Sequence, residues 1–305
     1  MKNGTVWKDI EGNPIQAHGG MILEYKNMFY WYGEHKGADN CQKAEELLHR
    51  VDVIGISCYS SANLVDWKYE GLALEAVKDN PASPLHPSKV CERPKVIYCE
   101  KTNKFVMWVH LDTADYMWAG IGVAISDTPV GPFTLIRAKQ PNGKDSRDMT
   151  IFKDTDGTAY LIHSSNWNRT LHIARLTDDY TDVDGLYVSA LEEQTREAPA
   201  VWCEKGKYYM VTSGCTGWAP NSALYAMSDY MLGQWKLIDN PCTGKDYRKT
   251  FYAQSTYMFS ANGKLWLMLD HWKPQNLQES AYSILPVTID GDYMEIPWTD
   301  EFTGK

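Results

Sequence analysis

Arg196-Glu197-Ala198-Pro199-Ala200-Val201-Trp202 runs into a turn pair, Lys205-Gly206, and then a second apolar run, Tyr208–Thr212. A polar residue opens the first run, and the turn lies eight residues beyond Glu197. The same phrase recurs through the chain. Turn pairs stand at Lys26-Asn27, Thr102-Asn103, Asp156-Gly157 and Asn262-Gly263, followed by Phe29–Tyr32, Phe105–Val109, Ala159–His163 and Leu265–Leu269. Asp-Gly and Asn-Gly mark two-residue hairpins, because both central residues of such turns need positive φ. Counting back, the first strands begin at His18, Glu92, Asp148, Glu197 and Gln254, spaced by 74, 56, 49 and 57 residues. A third strand follows in each unit (Ile54–Tyr59, Gly122–Ser126, Leu171–Leu176, Ala223–Ser228, Tyr282–Val287), then a weaker fourth such as Trp67–Leu74, Phe133–Ala138 or Trp235–Asp239. Five such units predict an all-β, five-bladed β-propeller with four antiparallel strands per blade. The blades fall roughly at 15–80, 88–140, 145–193, 195–243 and 250–298, in one domain over 1–305. Gln42–Arg50 could add two helical turns inside blade one.

In a propeller the first strand of every blade lines the central channel, and its entry end meets one face. His18, Glu92, Asp148, Glu197 and Gln254 are therefore expected to converge on one funnel. Gathering three carboxylates costs free energy through like-charge repulsion, which points to a functional site. The composition agrees. Twelve Trp and nineteen Tyr against seven Phe favour rings with a polar handle, suited to clefts where an apolar face meets hydroxyls. The core accounts for most of them; Trp118, Trp167 and Trp218 are candidate stacking platforms. The net charge of −9 with no basic cluster excludes a nucleic-acid partner. No apolar run approaches the ~20 residues of a membrane span.

Paired carboxylates in a cleft are the equipment of glycoside hydrolysis. One must stay protonated near neutral pH, so its pKa must be raised by burial or by a neighbouring charge. Glu197, with an apolar strand behind it, is the candidate acid; Asp148, one blade earlier, is placed to tune it.

The repeat, together with Ser146-Arg147-Asp148 and Arg196-Glu197-Ala198-Pro199, resembles glycoside hydrolase family 43. That family is built as a five-bladed propeller of inverting enzymes, with an Asp base in blade one, an Asp modulator in blade three and a Glu acid in blade four. Asp148 and Glu197 match the last two, whereas His18 stands at the blade-one position. Ile15–Gly20, Tyr32-Gly33-Glu34, Glu92–Lys95 and Tyr252–Ser255 resemble the exo-β-1,3-galactanase branch. The resemblance implies an inverting exo-β-1,3-galactanase that takes galactose from β-1,3-galactan or arabinogalactan chains, here without a carbohydrate-binding module. It implies Glu197, Asp148 and Gln254 as catalytic residues. Glu34, Glu92, His18, Tyr116, Asn168, Thr216 and Trp167 would bind substrate, with Glu34 suited to the axial 4-hydroxyl. An arabinofuranosidase or xylosidase of the same family, or a galactan-binding propeller without catalysis, are the alternatives.

Gln254 would lie where the attacking water sits, and an amide is essentially non-basic. Either it acts through its imidic-acid tautomer, or it only positions the water while Glu92 or Glu34 takes the proton. No cofactor is implied as required, although an axial Ca²⁺ or other cation is possible near His110, His163 and His271, which end second strands. The sequence start carries no apolar signal segment. An extracellular or periplasmic location is expected if a leader has been removed, and a cytoplasmic one if the sequence is complete.

Overall fold

In the computed structural model, residues 1–41 and 50–305 are described. The turn residues adopt the backbone that their identities favour. Lys26 and Asn27 have φ of 50° and 61°, Lys205 and Gly206 of 51° and 79°, and Asn262 and Gly263 of 53° and 72°. Those turns join Tyr25 to Met28, Glu204 to Lys207 and Ala261 to Lys264 as the last pairs of their hairpins.

Five sheets result, antiparallel except for one short edge pairing, and together they form a five-bladed β-propeller. Blade one is β1 (His18–Tyr25), β2 (Met28–Glu34), β3 (Gly55–Ser61) and β4 (Lys68–Glu75). Blade two is β5 (Val90–Cys99), β6 (Lys104–Asp112), β7 (Gly120–Ser126) and β8 (Thr134–Lys139). Blade three is β9 (Met149–Lys153), β10 (Ala159–Ser165), β11 (Thr170–Leu176) and β12 (Val183–Ala190). Blade four is β13 (Arg196–Glu204), β14 (Lys207–Gly214), β15 (Leu224–Ser228) and the two-residue β16 (Lys236–Leu237). Blade five departs from the expected four strands. To β18 (Gln254–Ala261), β19 (Lys264–His271), β20 (Ala281–Asp290) and β21 (Tyr293–Pro297) it adds β17 (Cys242–Thr243), which pairs in parallel with β21. The chain leaving blade four runs along that outer edge and caps it, which leaves fewer unpaired edge groups. The helical turns expected over Gln42–Arg50 fall on 42–49, outside the described residues.

Burial follows the radial order. The inner strands are covered on both faces by neighbouring blades, so β5 is buried or half-buried throughout. The outer strand β8 alternates exposed and half-buried positions. Most of the aromatic excess sits between blades. Trp31, fully buried, meets Trp7, Trp67 and Tyr282 edge-on at centroid distances of 5.9, 5.3 and 4.9 Å in the seam of blades one and five. Each large ring buried in this way contributes roughly 1.5–3 kcal/mol from area alone. The N-terminal segment closes the same seam: Thr5 bridges Tyr282, Asn3 N–H donates to Asp300 O at 2.9 Å, and Lys2 bridges Glu301.

Candidate active site

Three of the five channel positions use one local device. Glu92, Glu197 and His18 are each followed by a residue with left-handed φ: Arg93 at 54°, Ala198 at 52° and Gly19 at 59°. The strand ladder slips at the same places, between Glu92 and Lys95, Glu197 and Ala200, and His18 and Met21. A bulge of this kind re-aims a side chain at the end of a strand. In blade five the ladder slips between Ser255 and Tyr257, just after Gln254.

The result is a cavity of about 380 Å³ on the channel face, within the usual size range of small-molecule sites. Glu34, Glu92, Asp148, Glu197 and Gln254 line it, as do Tyr116, Asn168, Thr216 and Trp218. Lys36, Arg93, His110, Arg147, Gly217 and Trp272 complete the wall.

On the blade-four side, Glu197 accepts from Gln254 Nε2 at 3.1 Å and from Asn168 Nδ2 at 3.3 Å. Burial, then the negative charge of Asp148, push its carboxyl up to about 8; Arg93 and hydrogen bonds from Cys215 and Gln254 pull the other way. Glu197 is thus held as the acid near neutral pH, the state a proton donor needs. Asp148 is paired with the Arg93 guanidinium at 3.1 and 2.9 Å.

Blades one and two supply the far wall. Lys36 Nζ lies 2.7 Å from Glu34 Oε2 and 3.6 Å from Glu92 Oε1. Tyr116 Oη donates to Glu92 Oε1 at 2.8 Å. His110 stands between Glu92, at 3.5 Å, and Asp112, at 3.3 Å. Burial pushes the Glu92 carboxyl up, but Lys36, His110 and Tyr116 together outweigh it and hold Glu92 well below the usual carboxylate range. His110 responds in kind. Burial pulls it down, yet Asp112 and Glu92 bring it up to about 9. Glu34 lacks the histidine, and burial leaves its carboxyl above the ordinary value. Asp112 also accepts the backbone N–H groups of Thr113, Trp118 and Ala119, which folds the loop that carries Tyr116.

Three sequence expectations are corrected. His18 does not line the cavity. It is fully buried, with Nδ1 3.3 Å from Asp270, Nε2 3.0 Å from Tyr282 Oη and its ring stacked on Tyr282 at 4.7 Å. Both nitrogens are used in the blade-one to blade-five seam, and Glu34, its partner across the hairpin, fills the blade-one place in the wall. Trp167 stands outside the cavity, 61% exposed beneath the Arg147 guanidinium at 4.5 Å. Trp118 packs against the core between blades one and two; Trp218 does line the cavity, edge-on to Trp272 at 5.4 Å. Among the described residues no three His, Cys, Asp or Glu side chains gather closely enough to hold a metal. Lys95, fully buried in the inner strand of blade two, donates from Nζ to Gly19 O at 2.8 Å.

Residues 21–281 match the model of the glycosyl hydrolases family 43. The chain belongs to glycoside hydrolase family 43. It is a glycoside hydrolase, and its substrate is a carbohydrate. A GH43 β-1,3-galactosidase, BT3683, solved with galactodeoxynojirimycin, is 39% identical with a TM-score of 0.92, over 99% of this chain and 100% of that one. The exo-β-1,3-galactanase of Phanerochaete chrysosporium, solved with galactose, is 32% identical with a TM-score of 0.87, over 97% of this chain and 66% of its own. The exo-β-1,3-galactanase 1,3Gal43A of Clostridium thermocellum is 36% identical with a TM-score of 0.85, over 98% of this chain and 65% of its own. No curated protein matches by sequence. Among the described residues no helix is long and apolar enough to cross a membrane.

Proposed function

We propose that this hydrolase is an inverting exo-β-1,3-galactanase, releasing galactose from the non-reducing end of β-1,3-galactan. The observation that carries the reading is that Glu197, whose carboxyl is raised by burial and by the charge of Asp148, shares one cavity with Asp148 and with Glu92, which Lys36, His110 and Tyr116 hold low. Likeness to solved β-1,3-galactosidases and exo-β-1,3-galactanases supplies the substrate.

Glu197 would protonate the departing glycosidic oxygen, and Asp148 would keep it protonated until then. Inversion proceeds by a single displacement, with water attacking the anomeric carbon from the ring face away from the acid. Blades one and two do not adjoin blade four, so Glu34, Lys36, Glu92 and Tyr116 form the wall on that side. Sugar hydroxyls donating to Glu34 and Glu92 would make charged hydrogen bonds, each worth about 1.5–3 kcal/mol when buried, and so be selected. Trp218 and Trp272 offer apolar edges to the next sugar.

Incubation with β-1,3-galactan, β-1,3-xylan and arabinofuranosides is the test. Free galactose from galactan alone is expected. Release only from pentoside substrates, or retention on galactan without release, would overturn it.

A further inference from the structure

Glu34 ends β2, and the chain runs on extended: His35 N–H donates to Gly55 O at 3.0 Å. Alternation along an extended chain puts Lys36 on the same side as Glu34, and both line the cavity. Lys36 is buried, a rare place for a lysine. Its ammonium lies between two carboxyls, 2.7 Å from Glu34 Oε2 and 3.6 Å from Glu92 Oε1. Burial disfavours the charge, but the two carboxyls outweigh it and keep Lys36 protonated.

Neither carboxyl has Lys36 as its only partner. Glu34 Oε1 accepts the Arg93 N–H at 2.9 Å, and Glu92 Oε1 accepts from Tyr116 Oη at 2.8 Å. The ammonium carries three protons, and the two carboxyls are its only partners among the described residues. One N–H is left for whatever enters the cavity. A buried charged donor without an acceptor is costly, so the place calls for an oxygen. A hydroxyl suits it best, because it both donates and accepts. Set against Glu34 Oε2, it would donate to that oxygen and accept from Lys36 Nζ beside it.

We propose that Lys36 is a specificity-determining residue that donates to the same sugar hydroxyl that Glu34 accepts. Blade one then reads a single hydroxyl as donor and acceptor together, and a sugar with hydrogen in its place satisfies neither group. That the sugar is galactose rests on the proposed function.

The test is kcat/KM on β-1,3-galactobiose and on analogues whose terminal galactose is deoxygenated or deoxyfluorinated singly at C2, C3, C4 or C6, with the wild type and with Lys36→Met. Fluorine accepts a hydrogen bond weakly and cannot donate one, so the fluoro-to-deoxy ratio isolates the accepting half of the contact. Its inductive effect is common to both enzymes and cancels. At one position the ratio should be lower in Lys36→Met by about threefold or more, with the other positions unchanged. Ratios unchanged everywhere, or lowered alike at all positions, would overturn the role. If Lys36→Met does not fold, wild-type crystals soaked in galactose decide it. Lys36 Nζ and Glu34 Oε2 should share one hydroxyl oxygen within about 3.2 Å, and a bound sugar with no oxygen at Nζ would overturn the proposal. A wild type inert on galactobiose would overturn the galactose reading first, and this inference with it.

Discussion

Asp148→Asn is the sharpest probe of the acid. Burial is the larger cause of the raised Glu197 carboxyl and the charge of Asp148 the next, while Arg93 opposes both. The amide removes the like charge and frees Arg93, which is paired to Asp148 at 2.9 Å, to act on Glu197. Both changes favour ionised Glu197, so its pKa must fall. A neighbouring charge is worth about 1–3 units, so the pKa of Glu197 would drop from about 8 toward roughly 6.5. At pH 7.5 the protonated fraction then falls from about three quarters to about a tenth, an eightfold loss beyond any loss independent of pH. The assay is kcat/KM on β-1,3-galactobiose from pH 5 to 9, because that ratio reports the free enzyme. An alkaline limb that stays near pH 8, or moves up, would refute the coupling between these two residues.

Three further outcomes follow from the same geometry. A carboxyl raised from 4.5 to about 8 makes the folded state bind a proton that the unfolded chain has lost, so stability declines as pH rises through that window. Glu197→Gln, neutral throughout, should match the wild type in thermal unfolding at pH 4.5 and exceed it at pH 8.5 by up to a few kcal/mol; equal melting at both pH values would contradict the raised pKa. Gly19→Ala should destabilise the fold by about 1–3 kcal/mol in urea, since φ is +59° and the added Cβ would strike Glu34 Oε1; displaced Glu34 should raise KM more than it lowers kcat. His110→Gln removes the imidazolium that keeps Glu92 ionised, so activity should fall more at pH 5 than at pH 7, and a loss equal at both would contradict that role.

Much of the site was legible because hairpins repeat. Each channel residue sits eight residues, or ten for Glu92, before a turn that only Gly, Asn or a similarly permissive residue makes easily, so Glu92, Asp148, Glu197 and Gln254 fall into register without any contact being known. The partners were encoded one step further on. A hairpin pairs the start of its first strand with the end of its second, so Glu34 lies across from His18, His110 from Glu92, Ser213 from Glu197 and Asp270 from Gln254. Reflecting each channel residue through its turn finds these groups.

The inward aim of a side chain was not legible. His18 has the right register, but Asp270 and Tyr282, some 250 residues away in sequence, capture both its nitrogens. Arg93 was visible in the Glu92–Lys95 motif, yet its reach across to Asp148 and Gln254 depends on a bulge with φ of 54° that no local propensity announces. Trp272 follows a strand end in a loop, where periodicity carries no information. The parallel strand at Cys242–Thr243 is two residues long and has no pattern to read.

The most direct measurement is a proton NMR time course of β-1,3-galactotriose with the wild type and with Glu197→Gln. The wild type should liberate galactose whose first-formed anomer is α, ahead of mutarotation, while Glu197→Gln should liberate almost none. Early β-galactose, or undiminished release by the variant, would contradict single-displacement hydrolysis with Glu197 as its proton donor.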